Sequence, residues 1–130
     1  MQVTGLDHLV LTVADPEASA AWYGRTLGTQ TQAFTATDGS LRLALSFGAQ
    51  KINLHPADAP FAPHAAHPKP GTADLCFLSE APPQAWIDHL TGLGVEVLEG
   101  PVPRTGATGP ILSVYLRDPD GNLLEIAKQV

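Results

Sequence analysis

The chain is poor in sulfur: one cysteine, Cys76, and one methionine are all it carries. A disulfide framework within the chain is therefore excluded, and a reducing compartment is the expectation. Basic residues are also scarce, with 7 Lys and Arg against 13 Asp and Glu, for a net charge of −6. No basic run is present to contact phosphates, so nucleic acid is not an expected partner. No apolar run approaches the roughly 20 residues that span a bilayer. The charged-then-apolar pattern of a secretion signal is likewise missing from the N-terminus. The expectation is a cytoplasmic protein with no membrane partner. Nothing in the composition points to disorder: 130 residues with 44% hydrophobic and 15% charged content suit one domain with a real core.

What is present centres on the stretch from Ser113 to Ile126. It reads as strand, tight turn, strand. In Asp118-Pro119-Asp120-Gly121 proline presets φ and glycine accepts the positive φ that other residues resist. Past the turn, alternation puts Leu123, Glu125 and Ala127 on one face and Leu124 and Ile126 on the other. A carboxylate in an otherwise apolar strand needs a cation, a proton or a hydrogen-bond donor to offset its burial.

From the N-terminus, Leu6–Val13 reads as a strand with Leu9, Leu11 and Val13 on one face and Leu6, His8, Val10 and Thr12 on the other. Asp15-Pro16 opens a helix and Gly28 closes it, with Ala20, Trp22, Tyr23 and Leu27 apolar between them. Strands are predicted near Gln30–Thr35, Leu41–Phe47 and Lys51–His55. The proline- and alanine-rich stretch from Pro56 to Gly71, which carries His64 and His67, reads as a connecting loop. The pattern then restarts: a strand over Thr72–Leu78, a helix over Pro82–Leu93 ended by Gly94, a strand over Val95–Leu98, a loop over Pro101–Pro110, and a closing hairpin of Ile111–Leu116 with Asn122–Ile126. Trp22 and Trp86 are expected in the helical core.

Adding 66 to a position carries His8 to Asp74, Pro16 to Pro82, Leu27 to Leu93 and Gly28 to Gly94. One offset that preserves helix start and helix stop argues for two copies of a β-α-β-β-β unit. These are expected at about 4–56 and 72–128, joined by a linker at 57–71, as one α+β domain. In the later strands Ile52-Asn53-Leu54 matches Leu124-Glu125-Ile126 at an offset of 72. Four slots are thereby equivalent in pairs: His8 with Asp74, and Asn53 with Glu125.

These residues resemble the vicinal oxygen chelate superfamily of glyoxalases, extradiol dioxygenases, fosfomycin-resistance and bleomycin-binding proteins. The carriers are Leu6-Asp7-His8-Leu9-Val10-Leu11-Thr12-Val13, the Trp22-Tyr23 to Leu27-Gly28 helix, and Asp118-Pro119-Asp120-Gly121-Asn122-Leu123-Leu124-Glu125. Within it the chain is most similar to small glyoxalase domain-containing members, a likeness that extends to Gln50–His55, Ala65–Pro68 and Glu99–Ala107. The resemblance implies that two units form a curved open cup around a divalent metal (zinc, iron, manganese or nickel), with ligands on the first and last strands of each unit. It implies a homodimer with paired units and a small-molecule substrate.

On that resemblance His8 is the first ligand and Glu125 the last, and Glu125 doubles as a base. Asp74 fills a slot that similar families give to histidine, and stands as ligand or as a neighbour of one. Asn53 is a weak donor where glyoxalases keep glutamate; His55, two residues on and on the same face, is the substitute as ligand or catalytic group. Arg104 is a candidate clamp for an anionic substrate, since guanidinium matches carboxylate and phosphate geometry; a solvated loop arginine is the equal alternative. Tyr115 and Asn53 are candidate substrate contacts, and His67 is placed nearer the pocket mouth than His64. Cys76 reads as a small apolar residue on Asp74's face. The expectation is a metal-dependent lyase, isomerase or ring-cleaving dioxygenase acting on a substrate with adjacent oxygens. The rival is a metal-free binding protein of the bleomycin-resistance type. One scaffold hosts both, so the fold does not choose between them.

Overall fold

The computed structural model describes residues 1–130 as two compact units, Met1–Pro70 and Gly71–Val130. Each is one β-α-β-β-β copy with its own open four-stranded sheet.

In the first unit, β1 (His8–Val13) leads to α1 (Pro16–Leu27), then β2 (Gln30–Thr35), β3 (Leu41–Phe47) and β4 (Gln50–Pro56). The sheet order is β1-β4-β3-β2, with β1 parallel to β4 and the other pairs antiparallel. The helix starts where the capping chemistry says: Asp15 Oδ1 accepts from the amides of Glu17 and Ala18, both at 3.1 Å. It stops at Gly28, whose φ of 76° is the left-handed conformation that glycine adopts without strain. The alternation of β1 is obeyed. Leu11 and Val13, with Leu45, Ile52 and Leu54 of the neighbouring strands and Ala20 and Tyr23 of α1, are buried as the core of this unit. His8 and Val10 are on the opposite, exposed face.

The second unit repeats this with β5 (Asp74–Leu78), α2 (Pro83–Gly92), β6 (Glu99–Thr105), β7 (Pro110–Arg117) and β8 (Leu123–Gln129), in the order β5-β8-β7-β6. Its core is Leu90 of α2 under Val114, Leu116, Leu124 and Ile126. The repeat extends to strand register. His8 pairs with Lys51 and Val10 with Asn53 in the first unit; Asp74 pairs with Leu123 and Cys76 with Glu125 in the second. Each second-unit pair is the first-unit pair moved by 66 on one strand and 72 on the other.

Two expectations need correction. Val95–Leu98 is not a strand; the strand is Glu99–Thr105, over much of the stretch read as loop. Pro101 and Pro103 misled that reading, because proline cannot donate to a ladder. At β6 it does not have to, since β6 is an outermost strand with only β7 beside it. Arg104 accordingly stands on a strand. The tryptophans are half-buried rather than core. Trp22 lies edge-on to Tyr23, and Trp86 donates its indole N–H to Ser79 Oγ at 2.9 Å. A ring with one polar edge settles where that edge finds a partner.

Candidate functional site

The closing turn of the second unit is built by two side chains, Asp118, which the sequence reading treated only as a turn former, and Asn122, which it placed at the start of the closing strand but which precedes β8. Asp118 Oδ1 accepts from the amides of Asp120 and Asn122, both at 2.9 Å, and its Oδ2 accepts from Asn122 Nδ2 at 2.7 Å. Asn122 is fully buried, and its Oδ1 accepts from the Ala73 amide at 2.9 Å. The turn is thereby tied to the start of β5, and this fixes the register that sets Glu125 beside Cys76. Gly71 packs so closely on Asp120 that an added Cβ would lie 2.6 Å from its carbonyl oxygen.

Glu125 is half-buried on the sheet face turned away from α2, between Cys76 of β5 and Tyr115 of β7. The buried Ser113 hydroxyl donates a short hydrogen bond to its Oε1. Burial pushes the Cys76 thiol up to about 11, helped by the charge of Glu125 and a hydrogen bond to it, and by the charge of Asp74. The Tyr115 phenol is also raised, first by desolvation and further by the charge and hydrogen bond of Glu125, while Arg104 pulls it the other way. Arg104 Nε donates to the Tyr115 hydroxyl at 3.0 Å, and its other nitrogens reach Pro103 O at 3.0 Å and Glu99 at 3.3 Å. Glu125, Cys76, Tyr115 and Arg104 line a hollow of about 530 Å³ with Leu78, Thr105, Ile111 and Gln129. Asp74 lies on the same face two residues before Cys76, exposed.

The corresponding face of the first unit carries different chemistry. His8 is exposed, and its Nδ1 donates to Asp7 Oδ2 at 2.9 Å. A carboxylate on one ring nitrogen fixes the tautomer and leaves Nε2 as a bare lone pair, the arrangement that supports a metal ligand. That hydrogen bond and the nearby imidazole hold the Asp7 carboxyl below its usual range. His55, at 6% exposure, is buried, and its Nδ1 has no hydrogen-bond partner; neither has the buried Oδ1 of Asn53. Desolvation, then Arg42, then His64 lower the His55 pKa, so the ring is neutral at physiological pH. With Val10, Thr12, Pro63, His64 and Ala65 it lines a cavity of about 300 Å³. His64, not His67, is the loop histidine that meets this face, while His67 stays exposed in the linker.

The structure therefore gathers Glu125, Tyr115 and Arg104 in the second unit, and His55 beside Thr12 and His64 in the first. Ser113, Cys76 and Thr12 join them as residues the sequence reading did not single out for a role. Strand parity on the faces of Glu125 and His8 was the signal that could have found them. Within either unit no three His, Cys, Asp or Glu side chains gather as a metal cage. Each unit taken by itself carries donors of kinds that divalent ions accept: imidazole nitrogens at His8 and His55 in the first, and carboxylates at Glu125 and Asp74 in the second.

Two β-α-β-β-β units in open sheets, with donors on the first and last strands, define an α+β protein of the glyoxalase type. The chain belongs to the Glyoxalase/Bleomycin resistance protein/Dioxygenase superfamily, whose family model matches residues 5–126. It is 47% identical to Virulence protein STM3117 of Salmonella typhimurium over 130 residues, 100% of this chain and 88% of that protein. The crystal structure of that protein superposes with a TM-score of 0.90 at 48% identity, covering 100% of both chains. Glyoxalase domain-containing protein RDO1 of Mycosarcoma maydis is 47% identical over 127 residues, 98% of this chain and 69% of that protein. A structure from the mobile metagenome of V. pseudocholerae matches with a TM-score of 0.93 at 45% identity, over 100% of this chain and 98% of that one. Members of the superfamily commonly act on small molecules, commonly use divalent metals and are often dimeric. No helix is long and apolar enough to cross a membrane.

Proposed function

We propose that this chain is a metal-dependent enzyme acting on a small substrate with adjacent oxygen atoms, with the two units working as one glyoxalase-like domain in a homodimer. His8 and Glu125 hold the metal, and Asp74 or His55 completes the ligand set. The observation that carries the reading is Glu125 itself. It is a half-buried carboxylate in mid-strand, lining a hollow large enough for a substrate and supported by a hydroxyl donor from the next strand. When bound, a divalent ion supplies Lewis acidity to neighbouring substrate oxygens.

The chain's own residues account for the rest. Asp7 orients His8 so that its Nε2 lone pair faces outward. Glu125 takes or returns a proton at Oε2, while Ser113 occupies Oε1. The neutral ring of His55 is the second proton carrier, because a histidine kept unprotonated is ready to accept. The Tyr115 hydroxyl contacts a substrate oxygen, and the unpartnered Asn53 Oδ1 accepts from a substrate hydroxyl. Arg104 is already committed to Tyr115, Glu99 and Pro103, so an anionic group reaches it only by replacing Glu99; its first effect is to fix the phenol.

Elemental analysis of protein purified without chelator tests the reading. The expectation is one divalent transition ion per chain. His8→Ala and Glu125→Gln should each lower affinity by more than about tenfold, the scale on which even supporting residues of a metal site act. A full metal equivalent retained by His8→Ala would reject the site. Metal-free protein that binds a bulky ligand tightly and turns over neither dicarbonyls nor catechols would replace the enzyme with the binding-protein reading.

A further inference from the structure

Residues 57–70, the linker that follows β4, form neither helix nor strand. Ala57 N–H still donates to Val13 O at 2.8 Å, one residue past the pairing of β1 with β4. Beyond it the backbone hydrogen bonds are local. Ala59 N–H donates to Pro56 O at 3.3 Å, and Lys69 N–H to His67 O at 3.0 Å. Every residue from Ala62 to His67 is exposed. The segment nevertheless lies against the sheet, where Pro63, His64 and Ala65 stand opposite Val10, Thr12 and the buried His55. A stretch with so few hydrogen bonds to its framework opens at low free energy, so side chains have to hold it down.

Phe61 is the linker side chain with that grip. It is half-buried and meets two side chains of the sheet, Arg42 of β3 and His55 of β4. The Arg42 guanidinium carbon lies 4.0 Å from the centre of the ring, close enough for a cation–π contact. The His55 ring is edge-on to it at 5.1 Å. Arg42 is itself fixed: its Nη2 donates to Asp38 Oδ2 at 2.9 Å and its Nε to Ser40 Oγ at 3.0 Å. The phenyl ring therefore settles on a prepared seat.

We propose that the linker is a hinged cover on the His55 face of the first unit, and that Phe61, seated against Arg42 and His55, is the latch that holds it shut. Seated, the segment screens the imidazole from solutes. Released, it lifts beyond Ala57 and the ring becomes accessible. The value of such screening to catalysis rests on the reading of His55 as a proton carrier; the latch itself does not.

Two rates read the latch in the full chain without metal or turnover. Diethylpyrocarbonate modifies accessible neutral imidazoles, and site-resolved mass spectrometry follows His55 with the exposed His67 as reference. Elastase cuts after small residues and reports release of the stretch Ala62–Ala66. When opening and closing are fast, both rates follow the open population. Phe61→Leu stays apolar but loses the ring, and should raise both rates about tenfold. Arg42→Gln leaves the ring in place and should raise cleavage about two- to fivefold, the scale of one cation–π contact. It also decides the matter should Phe61→Leu fail to fold. Phe61→Tyr keeps the ring face and should leave both rates near those of the parent. The proposal is overturned if cleavage is unchanged in Phe61→Leu and Arg42→Gln, or if Phe61→Tyr behaves as Phe61→Leu does. It also fails if His55 reacts faster while cleavage stays the same, since Phe61 would then shield the ring without holding the linker. A chain that binds no metal yet shows the expected rates keeps the latch and loses the metal centre.

Discussion

The two units share a backbone and differ in what they hang on it. Their parallel pairings, β1 with β4 and β5 with β8, match residue for residue, and both helices lie under the same face of their sheets. On the other face the first unit offers imidazole and amide groups, His8, Asn53 and His55, whereas the second offers acids and hydroxyls, Glu125, Asp74, Ser113 and Tyr115. Duplicated frames with divergent donors teach that geometry was inherited and chemistry was chosen. The hydrogen-bond economy differs too. Glu125 is supplied with donors by its own sheet, while His55 and Asn53 are left short of them.

The turns separate the units most sharply. The first unit joins β3 to β4 through Phe47-Gly48-Ala49-Gln50, with Gly48 at a φ of 53°. The second joins β7 to β8 through the buried Asp118–Asn122 pair. Asn122→Ala removes the acceptor of the half-buried Ala73 amide and one donor to the buried Asp118 carboxylate, and empties a fully buried side-chain site, so it should destabilise the protein by about 3 kcal/mol. Gly48→Ala should lose about 1 kcal/mol. Chemical denaturation measures both, and equal losses would deny that the second turn is the stronger clamp.

Next in size is the reactivity of Cys76. With its pKa pushed up to about 11 from the ordinary 9.0, its thiolate fraction at pH 8 is about a hundredfold below that of an unperturbed thiol; the more basic thiolate is also more nucleophilic, so alkylation should be slowed by about tenfold. Glu125→Gln should speed the reaction by removing the charge, whereas Asn53→Asp, at the matching slot of the first unit, should not affect it. Timed mass spectrometry of iodoacetamide labelling reads the rates.

The smallest expected effect belongs to His55. Its folded pKa lies below the ordinary value of 6.5, so the unfolded chain binds the proton more readily. The stability that comes from keeping the ring neutral is whole above about pH 6.5 and declines as pH falls toward the folded pKa. His55→Gln should flatten the melting temperature between pH 7 and pH 5. A variant whose pH slope equals that of the parent would show that His55 is as well solvated as an exposed histidine.

Much of this was legible in the sequence because it rests on local rules. Asp15-Pro16 and Gly28 bound α1, alternation sorted His8 from Leu11, and the repeat offsets anticipated the strand register. The misses have physical causes. Proline content concealed β6, since the tolerance of an edge strand for proline depends on its place in the sheet, which no window of sequence contains. Trp22 and Trp86 look like core by hydrophobicity, but the size and polar edge of the indole favour the margin. His64 gave no signal because its approach to His55 spans a loop without periodicity. Ser113 is on the same face as Tyr115 by simple parity, yet its hydrogen bond to Glu125 needs the pairing of β7 with β8.

The prolines of β6 have one more effect. A sheet border normally exposes a row of amide hydrogens on which another chain can lay a strand of its own. Along Glu99–Thr105 two of the seven positions, Pro101 and Pro103, have no such hydrogen to offer. Stacking of further strands against that rim is disfavoured, so the second sheet ends there and is protected on that side from runaway self-association.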